Sequence, residues 1–452
     1  MEKYNIDTAR QEIIELLENK RYVQLREKLE RLHPADVAQL IEQLDKSQLP
    51  LVFRLLPKQL AAESFVEMDE KEQQLLIYSF SDSELKEVVD ELYVDDVAEI
   101  VDEMPSNVVK RILKQADPQM RRMVNEILKY PSGSAGSLMN TDYITLKKDM
   151  TVSGAIDRIR KTGINKESVY VCYVTEPNRK LLGLVNLRLL LFSYTDTPIS
   201  QIMETNIISA NTLDDEEQVA NTFQKYSLTE MPVTDGEGRI VGIITVDDAM
   251  EVMQDEATED IVKMAAVTPS DHTYLKTGVF ETYRQRIPWL LLLMISATFT
   301  GLIISAFEGA LQTYVVLTAF IPMLMDTGGN CGSQSSVTII RALSLGDIAF
   351  KDIFRIMFKE FRVSILCALT LAAANFIRLM VLDRVSIYIA LVVCLTLIST
   401  VILSKLVGCT LPLFAKKLGF DPAVMASPFI TTIVDALSLF IYFVFATIIL
   451  GL

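Results

Sequence analysis

The last two-fifths of the chain is a series of long apolar runs. Ile287–Phe307 holds 21 uncharged residues, IPWLLLLMISATFTGLIISAF. About 20 apolar residues in a helix cross a hydrocarbon core ~30 Å thick, so this run predicts a membrane helix. Runs over about Thr313–Ile340, Val363–Met380, Ser386–Phe414 and Ala423–Leu450 bring the predicted spans to five. An odd number puts the two termini on opposite faces. Asp435 lies midway along the last run, in SPFITTIVDALSLFIYF, and Asp326 opens MDTGGNCGSQSS in the second. A lone carboxylate at that depth is costly unless it faces water, a partner or an ion. Asp435 is therefore a candidate cation-pathway residue; the bland alternative is a protonated Asp bonded to a neighbouring helix. The glycines after Asp326, with Asn, Gln and several hydroxyls, suit a cavity lining or a close helix seam better than lipid. They are not a phosphate loop, because no Lys follows them.

Ahead of the membrane runs the pattern changes twice. Over residues 1–129 apolar positions recur every three or four residues, as at Val37, Leu40, Ile41 and Leu44, which predicts helices throughout. ADVAQLIEQL at Ala35–Leu44 returns as DDVAEIVDEM at Asp95–Met104, 60 residues on, and prolines punctuate the helices. A helical-repeat solenoid follows. After the linker YPSGSAG, Tyr130–Gly136, short β runs appear in two similar copies. LMNTDYITLKKDMTV from Leu138 is echoed by IMETNIISANTLDDE from Ile202, and LLGLVNLRLLL from Leu181 by IVGIITVDDAM from Ile240. Each copy predicts a β run, a helix, two β runs and a helix. The copies resemble tandem cystathionine-β-synthase (CBS) modules, regulatory ligand sensors that pack in pairs. In the second copy Gly242, Thr245 and Asp248 match that family's G-h-h-[ST]-x-x-D ribose-binding pattern. The first copy has Asn186 and Leu189 at the hydroxyl and acid positions, which leaves one nucleotide site.

Charge separates the two bodies. The net charge is −15, yet residues 280–452 hold 9 acids and 12 bases, while residues 1–279 hold 49 acids and 31 bases. An ordinary soluble enzyme is excluded, and the acidic front part is a poor partner for nucleic acid. His33 and His272 stand far apart, and Cys172, Cys331, Cys367, Cys394 and Cys409 show no C-x-x-C spacing. That argues against a structural zinc site or a disulfide framework and for a reducing compartment. The first thirty residues are charged throughout, so no cleavable secretory signal is expected. Lys276, Arg284 and Arg286 precede the first span. Arg341, Lys351, Arg355, Lys359 and Arg362 follow the second, and Lys416 and Lys417 follow the fourth. The positive-inside rule then predicts a cytoplasmic N-terminus and an outside C-terminus. Between the CBS copies and the membrane, QDEATEDIVKMAA (Gln254–Ala266) crowds acids whose mutual repulsion bound cations would offset.

The order of these parts resembles the MgtE family of bacterial magnesium channels and transporters. The resemblance covers nearly the whole chain and is carried by YPSGSAGSLM at Tyr130, EATEDI at Glu256, PMLMDTGGNCGSQSS at Pro322 and DPAVMASPFITTIVD at Asp421. It implies a multidomain membrane protein in five parts. These are an all-α N domain (1–129), an α/β CBS pair (130–200 and 201–253), a connecting plug helix (254–279) and a five-helix pore domain (280–452). It also implies a homodimer in a bacterial plasma membrane, with the pore on the two-fold axis, lined by the second and fifth spans. Asp435 matches the family's pore aspartate and Asp421 the acid at the cytosolic mouth. Ser427, Thr431, Asp326 and Asn330 belong to the same path. Magnesium-sensing acids are implied at Asp95, Asp96, Glu217, Asp248, Glu251, Glu256, Glu259 and Asp260. A bound adenine nucleotide such as ATP would use Thr245 and Asp248.

The expected function is thus Mg²⁺ uptake through a channel-like path, closed when Mg²⁺ binds the acidic interfaces of the cytosolic domains. The alternative is a divalent-cation carrier or exporter (Co²⁺, Mn²⁺) regulated by nucleotide. A CBS-containing chloride channel would place its modules after the membrane part and lack a pore acid. An enzyme would need a nucleophile–base pair or a metal triad, and a pump a nucleotide-hydrolysing domain; neither is visible.

Overall fold

A computed structural model describes residues 6–270, 274, 277–425 and 427–451. His272, Lys276 and the side chain of Ser427 lie outside the described residues. The chain divides into two compact units, Met1–Met253 and Gln254–Leu452.

The first unit opens with ten helices: α1 (Ile6–Glu18), α2 (Tyr22–Leu29), α3 (Pro34–Glu42), α4 (Leu49–Phe53), α5 (Lys58–Val66), α6 (Glu70–Ser79), α7 (Asp82–Val89), α8 (Val94–Glu103), α9 (Ser106–Gln115) and α10 (Pro118–Ile127). The repeat seen in sequence is structural. Helix α3 buries Val37, Ala38, Leu40 and Ile41, and α8 buries Val97, Ala98, Ile100 and Val101, the same four positions of each copy. Those stripes join a common core with Leu25, Leu29, Phe65, Leu76 and Val108. The acids of α8 are left on its other face, which positions the site described below.

Next come α11 (Ala135–Leu138), β1 (Ile144–Leu146), α12 (Val152–Thr162), β2 (Val171–Thr175), β3 (Leu181–Asn186), α13 (Leu187–Phe192) and α14 (Ile199–Ile202). The second copy follows as β4 (Ala210–Asn211), α15 (Glu216–Tyr226), β5 (Glu230–Thr234), β6 (Ile240–Thr245) and α16 (Val246–Met264). The element order is the one the sequence predicts for each copy. Both sheets have three strands, the first pair parallel and the second antiparallel, with Tyr173 opposite Leu184 in one and Val233 opposite Gly242 in the other. A register shift follows Val174 in one and Val233 in the other, at equivalent places. The copies are joined at Asn140, whose backbone N–H donates to Ile243 O at 2.7 Å and whose carbonyl accepts from Ile243 N at 2.8 Å. Gly242 permits this approach: a Cβ there would lie 2.9 Å from Asn140 O and 2.7 Å from Met139 Sδ. The glycine of the ribose-type pattern therefore has a packing role in this chain.

The second unit contains the end of α16 and α17 (Val279–Ala306), α18 (Glu308–Thr313), α19 (Ile321–Ser344), α20 (Ile353–Arg378), α21 (Ile387–Lys417) and α22 (Ser427–Leu450). Helices α17, α20, α21 and α22 are long and apolar enough to cross a membrane. Helix α19 has 24 residues and thus the length, but Asp326, Gly328, Gly329, Asn330, Gly332, Ser333 and Gln334 dilute its apolar character. It is compensated by protein: α19 packs against both α21 and α22. Leu317, Leu324, Val393, Leu397, Leu439, Tyr442 and Phe443 form the core of this unit, and Tyr442 OH donates to Leu317 O at 2.9 Å. Helix α17 buries no residue among its own.

A candidate acidic cation site and the path acids

Tyr93 precedes the first residue of α8, and its backbone N–H donates to Asp96 Oδ2 at 3.3 Å. Asp95 and Asp96 in the first turn of α8, and Glu99 one turn on, lie near acids of the CBS pair. Buried Asn140 links the two parts: its Nδ2 donates to Asp95 Oδ1 and to Glu167 Oε2, each at 3.0 Å. Its Oδ1 accepts from Asp142 N at 2.6 Å, which fixes the amide's orientation. From the second module Asp248 Oδ2 accepts from Thr245 N at 3.1 Å and from Thr245 Oγ1 at 2.6 Å, capping the start of α16. Thr245 and Asp248, the pair matching a ribose pattern, thus satisfy each other in this conformation.

The carboxyls gathered here resist ionisation. Burial pushes Asp95 well up, with the charges of Asp96, Asp248 and Glu167 adding to it. Burial likewise raises Asp96 to about 6, with Asp248, Asp247 and Glu67 adding to it against the stabilising bond from Tyr93. Glu99 stands at about 7 through desolvation and the charges of Glu251, Glu103, Asp96 and Asp248, although its outer side is open to solvent. Glu167 also stands at about 7, raised by desolvation and then by Asp248, Asp96 and Asp247. Asp248 is raised by burial, against its two bonds from Thr245. Desolvated like charges are costly, and protons, a neighbouring ammonium or a multivalent cation relieve them. An all-oxygen carboxylate set suits a hard divalent cation, Mg²⁺ or Ca²⁺, rather than zinc.

Of the sequence-predicted sensing acids, the first unit brings together Asp95, Asp96, Asp248 and Glu251. Glu217 lies half-buried in the first turn of α15. Glu99, Glu103, Glu167 and Asp247 join the cluster in addition to the acids expected from sequence. Their signal was faint: Asp96, Glu99 and Glu103 fall at three- and four-residue steps on one helix face, but Glu167 sits in a loop that only the tertiary fold delivers. Elsewhere in the helical part, Glu42, Asp69 and Glu72 each bring an oxygen within 4.8 Å of the others.

In the second unit Lys263 Nζ lies 2.7 Å from both Glu259 Oε1 and Asp421 Oδ2. Ser344 Oγ on α19 donates to Asp260 Oδ2 at 3.1 Å. Two predicted sensing acids thus meet the predicted mouth acid around an ammonium from their own helix; Glu256 lies half-buried on the same helix. Asp421 also accepts from Ala423 N at 2.8 Å. Deeper in, Asp435 on α22 is half-buried and feels the charge of Asp326 on α19. Asp326 and Asn330 are exposed one turn apart on the surface of the single chain, and Thr431 donates to Pro428 O at 2.9 Å.

Family profiles match the chain along most of its length: an MgtE intracellular N domain over 32–133, CBS domains over 135–195 and 199–255, and a divalent cation transporter over 321–445. The magnesium transporter MgtE of Thermus thermophilus is 34% identical over 421 residues, 92% of this chain and 93% of that protein. The magnesium transporter MgtE of Bacillus subtilis is 30% identical over 439 residues, 96% of each chain. Among solved structures, the cytosolic domain of the Mg²⁺ channel MgtE in complex with ATP aligns at TM-score 0.51 and 32% identity, covering 53% of this chain and 98% of that one. The soluble part of a magnesium transporter aligns at TM-score 0.52 and 25% identity, covering 56% and 100%. With helices fit to cross a membrane, paired CBS modules and relatives matching from end to end, the chain belongs to the MgtE family of magnesium transporters, a multi-pass, non-enzymatic transport family.

Proposed function

We propose that this protein carries Mg²⁺ inward across a bacterial plasma membrane and is closed by cytosolic Mg²⁺ bound at its acidic interfaces. The observation that carries the reading is the half-buried set Asp95, Asp96, Glu167 and Asp248, tied together by buried Asn140 through Asp95 and Glu167, which brings an N-terminal helix and both CBS modules into one electrostatic cluster. Such a cluster is stable with divalent cations and strained without them. The working unit is a homodimer with its N-terminus inside, and two copies of Asp435 face each other in the path beside Asp326, Asn330, Thr431 and Ser427. Mg²⁺ sheds water reluctantly, so paired carboxylates grip its hydrated shell rather than the bare ion. Residues 1–129 and the CBS modules 130–200 and 201–253 form the sensor. Residues 254–279 form the plug at a pore of residues 280–452, with Asp421 at its mouth. At high Mg²⁺ ions bridge Asp95, Asp96, Glu217, Asp248 and Glu251, with Glu256, Glu259 and Asp260, and the plug closes. At low Mg²⁺ the uncompensated acids separate.

A nucleotide is a second ligand of the same sensor. The solved cytosolic relative holds ATP, and here Thr245 and Asp248 would take the ribose by exchanging their mutual bond for the sugar hydroxyls. Thr245→Val tests this by calorimetry, since it removes a donor without changing charge; unchanged ATP affinity refutes the assignment. The transport reading is tested in proteoliposomes of the full chain, with and without an imposed voltage. The parent is expected to take up Mg²⁺, faster at inside-negative potential, and Asp435→Ala to lose uptake while still assembling as a dimer. Parental flux through a well-folded Asp435→Ala protein would refute the path.

A further inference from the structure

Besides Asp326 and Asp435, the apolar runs of the second unit hold a buried base. Lys405 lies in the interior of α21 and is 5% exposed, the one Lys, Arg, Asp or Glu that is buried among the described residues of the second unit. Its Nζ donates to Ser335 Oγ on α19 at 3.3 Å. Ser335 is 3% exposed and its hydroxyl donates to Glu360 Oε2 on α20 at 2.8 Å. An ammonium has donors only and a hydroxyl has one proton, so the direction is fixed: Lys405 gives to Ser335, which gives to Glu360. Two hydrogen bonds thereby tie three long helices and set a positive charge against a negative one through a single oxygen.

The site is rigid. One turn before Ser335 and one turn after Lys405, the backbones of α19 and α21 touch, and a Cβ on Gly408 would clash with the carbonyl oxygen of Gly332. With no room between the helices, the lysine's reach to Ser335 fixes the rotation of α19 about its axis. That rotation decides where Asp326 and Asn330 point; they are exposed while Ser335 and Ser336 are buried. A buried charge at membrane depth is expensive and is retained where it serves a path or its geometry. Glu360 is only half-buried, but Lys405 is buried, so removing Glu360 alone leaves a buried ammonium uncompensated, whereas removing both leaves none.

We propose that buried Lys405 and half-buried Glu360, joined through Ser335, form a charge relay that positions α19 and so determines which divalent cation the protein prefers. The proposal rests on α19 lining the path, as in the reading above. Lys405 and Glu360 are positioning residues that need not touch the ion.

The test is the ratio of Mg²⁺ to Co²⁺ taken up from an equimolar mixture by proteoliposomes of the full chain, a ratio independent of how many molecules are folded. Lys405→Met and Glu360→Gln are each expected to change it by roughly threefold or more, while the double variant returns to within about twofold of the parent. Lys405→Arg keeps charge and reach and is expected to keep the ratio. Single variants with the parental ratio, or a double variant as far displaced as the singles combined, overturn the relay. If a single variant cannot be reconstituted, Ser335→Ala decides, because it keeps both charges and removes their link; a parental ratio there overturns the relay too. A parent that takes up neither cation overturns the transport reading and, with it, this one.

Discussion

Asn140 is where residue-scale chemistry is most exposed to measurement, because the carboxyls around its amide stand above their ordinary range. An acid ionises near ~4 in an unfolded chain, whereas Asp96 here stands at about 6 and Glu99 and Glu167 at about 7. Between those values the folded protein binds more protons than the unfolded one. By linkage the contribution of these carboxyls to stability is fully present below the unfolded value and is lost as pH rises toward 7. Mg²⁺ needs the ionised carboxylates and must displace those protons. The rise in thermal midpoint on adding Mg²⁺ is therefore expected to be larger at about pH 8 than at about pH 6, on either side of the titration. Calorimetry in the same range should record proton release on binding; a pH-independent Mg²⁺ effect would place the ion elsewhere. Lys263 makes a second demand. Its ammonium already occupies the space between Glu259 and Asp421, so a divalent ion there must displace it. Lys263→Met is expected to lower the Mg²⁺ concentration for half-closure several-fold, in keeping with the ~1 kcal/mol of a partly exposed ion pair. An unchanged concentration would mean that no ion enters between those acids.

At the scale of elements, the crossing of α19 and α21 governs the second unit. The glycine-rich stretch after Asp326 signalled either a seam or a cavity in sequence; the fold gives its glycines the seam and leaves the acid and the amide on an exposed face. Gly328 and Gly332 pack against neighbouring helices, with a Cβ on Gly328 meeting Thr400, Val434 and Ser438; Asp326 and Asn330 are exposed. Gly408, the partner that makes the approach possible, carried no signal, since a single glycine in an apolar run reads as incidental. Gly408→Ala puts a methyl group against backbone that cannot yield. Overpacking of this kind costs ~1–3 kcal/mol, and the loss should appear as a lower thermal midpoint of the detergent-purified protein. Gly309→Ala serves as the control, because nothing lies within 4 Å of the added atom. Equal effects of the two substitutions would mean that α19 and α21 do not touch.

For the whole molecule the question is how weak sites decide a gate. Moving a two-state equilibrium from mostly open to mostly closed takes ~5 kcal/mol of differential binding, more than one exposed ion pair supplies. In the gating proposed above, several acidic clusters acting together would supply it, and closure by Mg²⁺ is then expected to be cooperative. Neutralising Glu256, Glu259 and Asp260 together, or removing residues 1–129, is expected to leave a conducting protein that high cytosolic Mg²⁺ no longer closes. Patch-clamp inhibition compared between parent and triple variant measures this. Closure at the same Mg²⁺ concentration in both would reduce these acids to a solvated surface.

What the sequence determined by itself was the periodic and the local. Apolar period distinguished helical repeat, CBS copies and membrane runs, because burial of one face imposes a spacing that survives without coordinates. The long motifs around Asp326, Asp421 and Asp435 carried the family for the same reason. The tertiary structure alone decided which distant charges share an environment. Glu167 reaches Asp95 through Asn140, Lys263 stands between Glu259 and Asp421, and Lys405 answers Glu360 through Ser335. Each of these depends on side chains brought together from separate elements, and the electrostatic cost of a charge is set by that neighbourhood rather than by its position along the chain.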